Sequence, residues 1–437
     1  MSDYIYSLES HLNAFQNRIV SELQDLATAA NQNLYLAGGA MRDLLGGSPT
    51  RDLDFVLEAP PAKIAEALVQ RLGGTIVSQD DHRKVVEMVF PGGTTAQLAM
   101  SRHEKYPKPG GRPQVTHAPI HDDLRRRDLT LNSIALKLNR GSKGLLIDPA
   151  NGMADLQNRE MRAGYSTAFY DDPVRLLRAI RLKHRFQFTF EERTLRQFEN
   201  ALAENLHQLI PKPALLHELK MLGDEPSPSE TVKDLETTGL LTLFSKALGA
   251  GKANYAGLSK LEKLKKSLPL PPAGWTDGWR SFFIVLTENL SAKEKSDLAA
   301  NVGLEKDDLE SCKKLQANAK KLETALKSPN LRKPSQIYDL VCAAQPDVVL
   351  YVLFESAQRL VQDRIRNYIQ KYLPTAQEIP ESEFAAEGIV PGSRNYEKAR
   401  AAFVAARLNA RPKKVEENFV EVPAPPAPRG RPPRATA

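Results

Sequence analysis

Two cysteines, Cys312 and Cys342, are all that the 437 residues contain. A disulfide framework is not expected, and two cysteines alone cannot build a structural zinc site, so no zinc is expected. Long apolar runs are also missing. The most apolar stretch, Val348 to Phe354, is far too short to cross a bilayer, and no basic start leads into an apolar segment as in a signal peptide. The expectations are no membrane, a cytoplasmic location, and reduced, buried thiols. No strong internal repeat marks a solenoid.

What is present suits a globular chain: 41% hydrophobic and 26% charged residues. The length allows two to four packed units. Lys and Arg number 60 against 53 Asp and Glu, a formal charge of +7. That charge suits a polyanion such as RNA, and equally a protein with many solvated basic side chains.

Residues 1–30 read as one amphipathic helix, with Leu8, Leu12, Phe15 and Ile19 at helical spacing. From Leu34 to Ile147 short β-rich runs (LYLA, DLDFVLE, GGTIVS, KVVEMVF) alternate with Gly and Pro turns and helical stretches, the pattern of an α/β or α+β unit. After Asp171 the apolar spacing is helical almost throughout. The Pro-rich basic end, residues 411–437, predicts disorder.

The chemistry begins in YLAGGAMRDLLGGSPTRDLDFVLEA, Tyr35 to Ala59. Gly38-Gly39 stands where a strand gives way to a helix, a turn that permits close backbone approach to a phosphate and is just as often an ordinary turn. Arg42, one turn into that helix, adds positive charge. Asp52 and Asp54, one residue apart on a strand, point to the same face. They either sit in water or hold a cation between them.

GGAMRD…RDLDF resembles the first motif of the class II tRNA nucleotidyltransferase and bacterial poly(A) polymerase family. Three further stretches follow in that family's order: DLRRRDLTLNSIAL, IDPANGMADLQNREMRA and YDDPVRLLRAIRLKHRFQF. The resemblance runs from Leu34 to Phe188 and thins towards Leu241. It implies an α+β fold: an N-terminal nucleotidyltransferase head with a small mixed β-sheet (1–160), then an elongated helical neck (161–241), and a helical body and tail that binds tRNA (242–410). It implies addition of C and A from CTP and ATP to the tRNA 3′ end, with magnesium and release of pyrophosphate. CC-only or A-only addition and polyadenylation use the same motifs. An RNA-binding protein with an inactive head is a reading from a different class.

Carried over position by position, the resemblance gives Asp52 and Asp54 to magnesium, and Gly39 and Arg42 to the triphosphate. It gives Arg127, Asp128 and Asn132 to the ribose. Gly152 and Asp155 fall in a hinge motif, Gly152 letting the chain turn and Asp155 pairing with a nearby Arg. Asp172 and Arg175 fall at the base-reading positions. Their donors and acceptors match the amine-plus-ring-nitrogen edge shared by cytosine and adenine and mismatch guanine and uracil. The competing expectation for Asp172 is an N-cap with Pro173 at the first helical position. Arg178 and Arg181 continue at i+3 spacing, towards the nucleotide or towards ion pairs on the helix.

The sequence departs from the family at three places. Gln97 stands where relatives carry a third carboxylate, with Glu104 farther on. Asp171 replaces a Glu. Glu218 is kept, but an Arg expected near Ala214 is absent, so bracing of the base-reading helix is expected to differ. His121-Asp122 and His217-Glu218 lack the flanking residues of a metal site. Lys313, Lys314, Lys320 and Lys321 suit tRNA phosphates or a plain solvated face.

Overall fold

The computed structural model describes residues 3–47, 50, 52–267, 278–389 and 395–410; the expected disordered end lies outside them, as does Arg51. The chain opens with two helices where the spacing predicts one: α1 (Asp3–His11) and α2 (Ala14–Ala29). The break is a capping box. The Asn13 side chain accepts from the Gln16 amide at 2.8 Å, and Gln16 accepts from the Asn13 amide at 3.0 Å. This reciprocal pair satisfies end amides that a continuous helix would not leave open.

Then follow β1 (Leu34–Ala37), α3 (Gly38–Leu45), β2 (Leu53–Leu57), α4 (Ala62–Leu72), β3 (Thr75–Asp80), β4 (Val85–Val89) and β5 (Thr95–Met100). After them come β6 (Arg102–Lys105), β7 (Gln114–His117), α5 (Ile120–Arg125), β8 (Ala135–Lys137) and β9 (Leu146–Ile147). The main sheet has seven strands in the order β3-β4-β5-β2-β1-β8-β9, with β2 and β5 parallel and the other neighbours antiparallel.

Alternation decides which face holds chemistry. Leu53, Phe55 and Leu57 of β2 join Leu36, Leu98 and Met88 against Ile19 and Leu23 of α2 and Ile64 and Leu68 of α4. Each such buried side chain is worth about 1.5–3 kcal/mol. Asp54 therefore faces the other way, on the side where Tyr35, Ala37 and Val56 pack against Ile120 and Leu124 of α5. A slip of one residue would bury the carboxylate under two helices, so the apolar pattern itself secures its placement.

Next are α6 (Gly152–Asn158), β10 (Glu160–Met161), α7 (Ala168–Asp171), α8 (Val174–Phe186), β11 (Thr189–Phe190), α9 (Glu192–Ala203), α10 (Lys212–Gly223) and α11 (Pro228–Thr237). From there to Asn409 the described residues are helical or in turns. β10 pairs in parallel with β11, and a small core of Leu129, Leu131, Met161 and Leu182 joins the sheet-bearing part to α8. One apolar core runs from Phe169 to Ile369, with a separate cluster from Ala376 to Leu408. The fold is thus α+β, a sheet-bearing head before a helical remainder.

Val348 to Phe354 lies inside the large core, and among the described residues no single helix is long and apolar enough to cross a membrane. Cys312 is buried as expected, but Cys342 is exposed. It sits on the helix Pro334–Cys342, whose apolar contacts fall to Ile337 and Val341 instead.

Candidate active site

A cleft of about 590 Å³ opens between the free face of the sheet and α8. Its lining includes Gly39, Arg42, Asp52, Asp54, Arg127, Asp128, Asp172, Arg175, Arg178 and Arg181, so residues scattered over the sequence meet in one place.

The floor is the turn from β1 into α3. Gly38 has φ +65, and a Cβ there would lie 2.9 Å from Arg127 Nη1; one on Gly39 would lie 3.0 Å from Asp54 Oδ2. A bare Cα at both positions lets carboxylate and guanidinium close over the helix start. Asp52 lies one residue ahead of β2 rather than on it; it is exposed and accepts from the Thr95 hydroxyl. Asp54 is partly buried. Burial and then the Asp52 charge push its pKa up to about 6, against the pull of Arg127 and Arg42. Two carboxylates of which one is this reluctant to ionise suit a divalent cation, which relieves both burdens at once. Among the described residues no three His, Cys, Asp or Glu side chains converge as metal ligands, and His121-Asp122 and His217 build no such site.

Several other acids of the cleft are already paired with arginines. Asp123 holds Arg126 at 2.6 Å and Arg127 at 2.9 Å. Its burial would raise its pKa, but the two guanidiniums outweigh that and hold it at about 2. Glu104 reaches the cleft, yet it is bound by Arg102 at 2.8 Å and Arg126 at 3.2 Å.

Asp128 is buried and accepts from Asn132 at 2.9 Å, from the Leu129 amide at 2.8 Å and from Arg178 at 3.0 Å. Burial opposes its charge, but Arg178 and Arg175 hold its pKa far below the usual carboxylate range.

α8 forms the opposite wall. Leu176, Leu177 and Ile180 face the large core, so Arg175, Arg178, Arg181 and Arg185, on the other side of the helix, face the cleft. Asp172 does not cap this helix: Pro173 takes the cap position with no side-chain bond. The chain reaches Pro173 with Asp172 in extended backbone, which ends the short α7 and carries the carboxylate past the helix start. Asp172 pairs with Arg175 at 3.9 Å, and Arg175 donates to the Tyr165 hydroxyl at 2.6 Å and to the Ala168 carbonyl at 3.3 Å.

Behind these residues the polar groups close into a ring. Arg178 joins Asp128 at 3.0 Å and Glu218 at 3.6 Å. Arg181 joins Glu218 and Glu225, both at 2.8 Å. Arg185 joins Glu225 at 4.0 Å and Asp43 at 2.8 Å. Arg42 joins Asp43 at 2.8 Å and Asn132 at 2.7 Å, and Asn132 returns to Asp128. Glu218 thus holds α8 through Arg178 and Arg181, and Glu225 is the second carboxylate on Arg181. Arg42 and Arg181 line the cleft while committed to carboxylates.

Sequence reasoning missed Asp43, Asp123, Arg185, Glu225 and Tyr165. Two had a visible signal: Asp43 directly follows Arg42, and Arg185 lies seven positions after Arg178, two helical turns on the same face. Asp155 pairs with Arg162 at 3.1 Å. Lys313, Lys314, Lys320 and Lys321 are exposed on Lys306–Leu326 and lie outside the cleft lining.

Residues 34–162 match the model of the poly A polymerase head domain. Relatives of the chain are tRNA nucleotidyltransferases. The A-adding tRNA nucleotidyltransferase of Halalkalibacterium halodurans is 33% identical over 277 residues, covering 62% of this chain and 63% of the relative. The CC-adding enzyme of Deinococcus radiodurans is 36% identical over 224 residues, covering 51% and 59%. The chain therefore spans less than two thirds of the length of these relatives. The solved apo form II of a CCA-adding enzyme aligns over 95% of this chain and 97% of its own, with a TM-score of 0.53 at 24% identity, a likeness of fold.

Proposed function

We propose that the chain is a template-independent tRNA nucleotidyltransferase that joins C and A residues from CTP and ATP to the tRNA 3′ end. The observation that carries this reading is a single cleft lined by both the Asp52/Asp54 pair and the Asp172–Arg175 pair. The tRNA 3′-hydroxyl oxygen bonds to the α-phosphorus as the bond to pyrophosphate breaks. Asp52 and Asp54 would hold magnesium, which supplies charge neutralisation for the triphosphate and lowers the pKa of the attacking hydroxyl.

The residues of the chain do the rest by position. Gly39 leaves room for a phosphate beside the α3 N-terminus. Arg42, Arg178 and Arg181 present cations to the nucleotide from a fixed frame, each already tethered to a carboxylate. Arg127 and Asp128 suit a ribose hydroxyl, which both donates and accepts. Asp172 accepts from the exocyclic amine of cytosine or adenine, while Arg175 donates to the adjacent ring nitrogen.

The names of the two relatives favour a second reading, in which the chain adds only A or only CC. Purified chain with magnesium and labelled CTP or ATP, offered tRNAs ending before, within and after the CC, separates the outcomes. Full addition extends all three substrates; extension of only the first two, with CTP, selects CC-only addition, and incorporation of ATP alone into the CC-ended tRNA selects A-only addition. Asp54→Asn is expected to lower incorporation more than about 100-fold. No incorporation into any of the tRNAs would overturn the enzyme reading.

A further inference from the structure

The sheet carries one more acid on the cleft face. Asp54 on β2 pairs in register with Gln97 on β5, and Gln97 pairs with Glu87 on β4. Directly opposed residues share a face, so the three side chains form a row across the sheet, and all line the cleft. Gln97 Nε2 donates to Glu87 Oε1 at 3.4 Å. An ionised carboxylate only accepts, so Glu87 takes the amine end of the Gln97 amide and leaves the carbonyl end as a neutral acceptor within the cleft.

The second observation is charge. Asp43, Asp123, Asp128 and Glu104 are each bound to an arginine within about 3 Å. Asp80 is spent on the amides of its own turn, His82 and Arg83. Glu87 is exposed, and among the described residues no lysine or arginine pairs with it. Its negative charge is thus free to act on the cleft.

We infer that Glu87 is a positioning residue of the acidic centre. It orients the Gln97 amide and supplies, one strand farther out, the negative charge that Gln97 cannot. The inference rests on the reading that Asp52 and Asp54 hold a divalent cation. It separates charge from contact: Gln97 offers the oxygen beside Asp54, and Glu87 the field.

Binding of manganese(II) alone to the full chain, without nucleotide, tests it. Glu87→Gln is expected to raise the manganese dissociation constant about fivefold, the effect of one screened charge on a divalent ion. The exchanged pair, Glu87→Gln with Gln97→Glu, moves the same charge one strand inward and is expected to restore wild-type affinity or better. Metal-free melting temperatures should match, because Glu87 is exposed and the change is isosteric. Unchanged affinity in Glu87→Gln, or an exchanged pair as weak as the single variant, would overturn the inference. Asp54→Asn distinguishes the underlying reading: if that variant also binds manganese normally, the cation site itself is refuted, and Glu87 with it.

Discussion

At the scale of the residue, Gly152 shows how a contact can hide behind a turn. The sequence suggests that it lets the chain bend. The left-handed backbone belongs instead to Asn151, at φ 59, while a Cβ on Gly152 would lie 2.1 Å from the Thr130 carbonyl oxygen. Gly152→Ala is therefore expected to cost about 2–3 kcal/mol in urea unfolding, by forcing two backbones apart. Asn151→Gly, which relieves φ rather than space, is expected to be nearly neutral. That Asp52 and Asp54 meet in one cleft was legible because they stand two positions apart, although only Asp54 lies on β2. The pairing of Asp43 with Arg185 was not, because nothing local brings those positions to 2.8 Å.

At the scale of the element, α5 and the arginines after it form a small electrostatic device. Asp123 reaches Arg126 and Arg127 at i+3 and i+4, spacings at which helical side chains meet. Its folded pKa, about 2, lies below the ordinary 3.8. The unfolded chain therefore binds the proton more readily. The stabilisation is complete above pH 3.8 and is lost as pH falls towards 2. It amounts to about 2 kcal/mol. Asp123→Asn is expected to destabilise the chain by about 2–4 kcal/mol at neutral pH, because two guanidiniums lose a buried partner. It should also flatten the acid limb of stability between about pH 4 and pH 2, as followed by urea unfolding across pH.

Elements themselves were largely readable: the four quoted β runs became β1 to β4. The first helix was read as continuous because apolar spacing survives a capping box. The cap of α8 was read one residue early because Asp-Pro is a common helix opening.

At the scale of the whole molecule, the sheet-bearing part and α8 meet through a modest apolar patch and a ring of polar groups. Head residues Asp128 and Asp43 both bind α8, at Arg178 and Arg185. Those two arginines sit two helical turns apart on one face. Asp43→Asn and Arg178→Met each remove one crossing. Denaturant unfolding of the pair is expected to show a double-variant loss exceeding the sum of the single losses by at least about 1 kcal/mol. Additivity within about 0.3 kcal/mol would mean that the crossings act as independent bridges.

The geometry behind that expectation is a matter of connectivity rather than strength. Any two members of a closed circuit are joined by two routes, so one severed link leaves every member still tethered from the other side. Substitutions that look mild one at a time can then conceal a dependence that only a second cut exposes. In an open string of salt bridges, the first cut would already separate the parts.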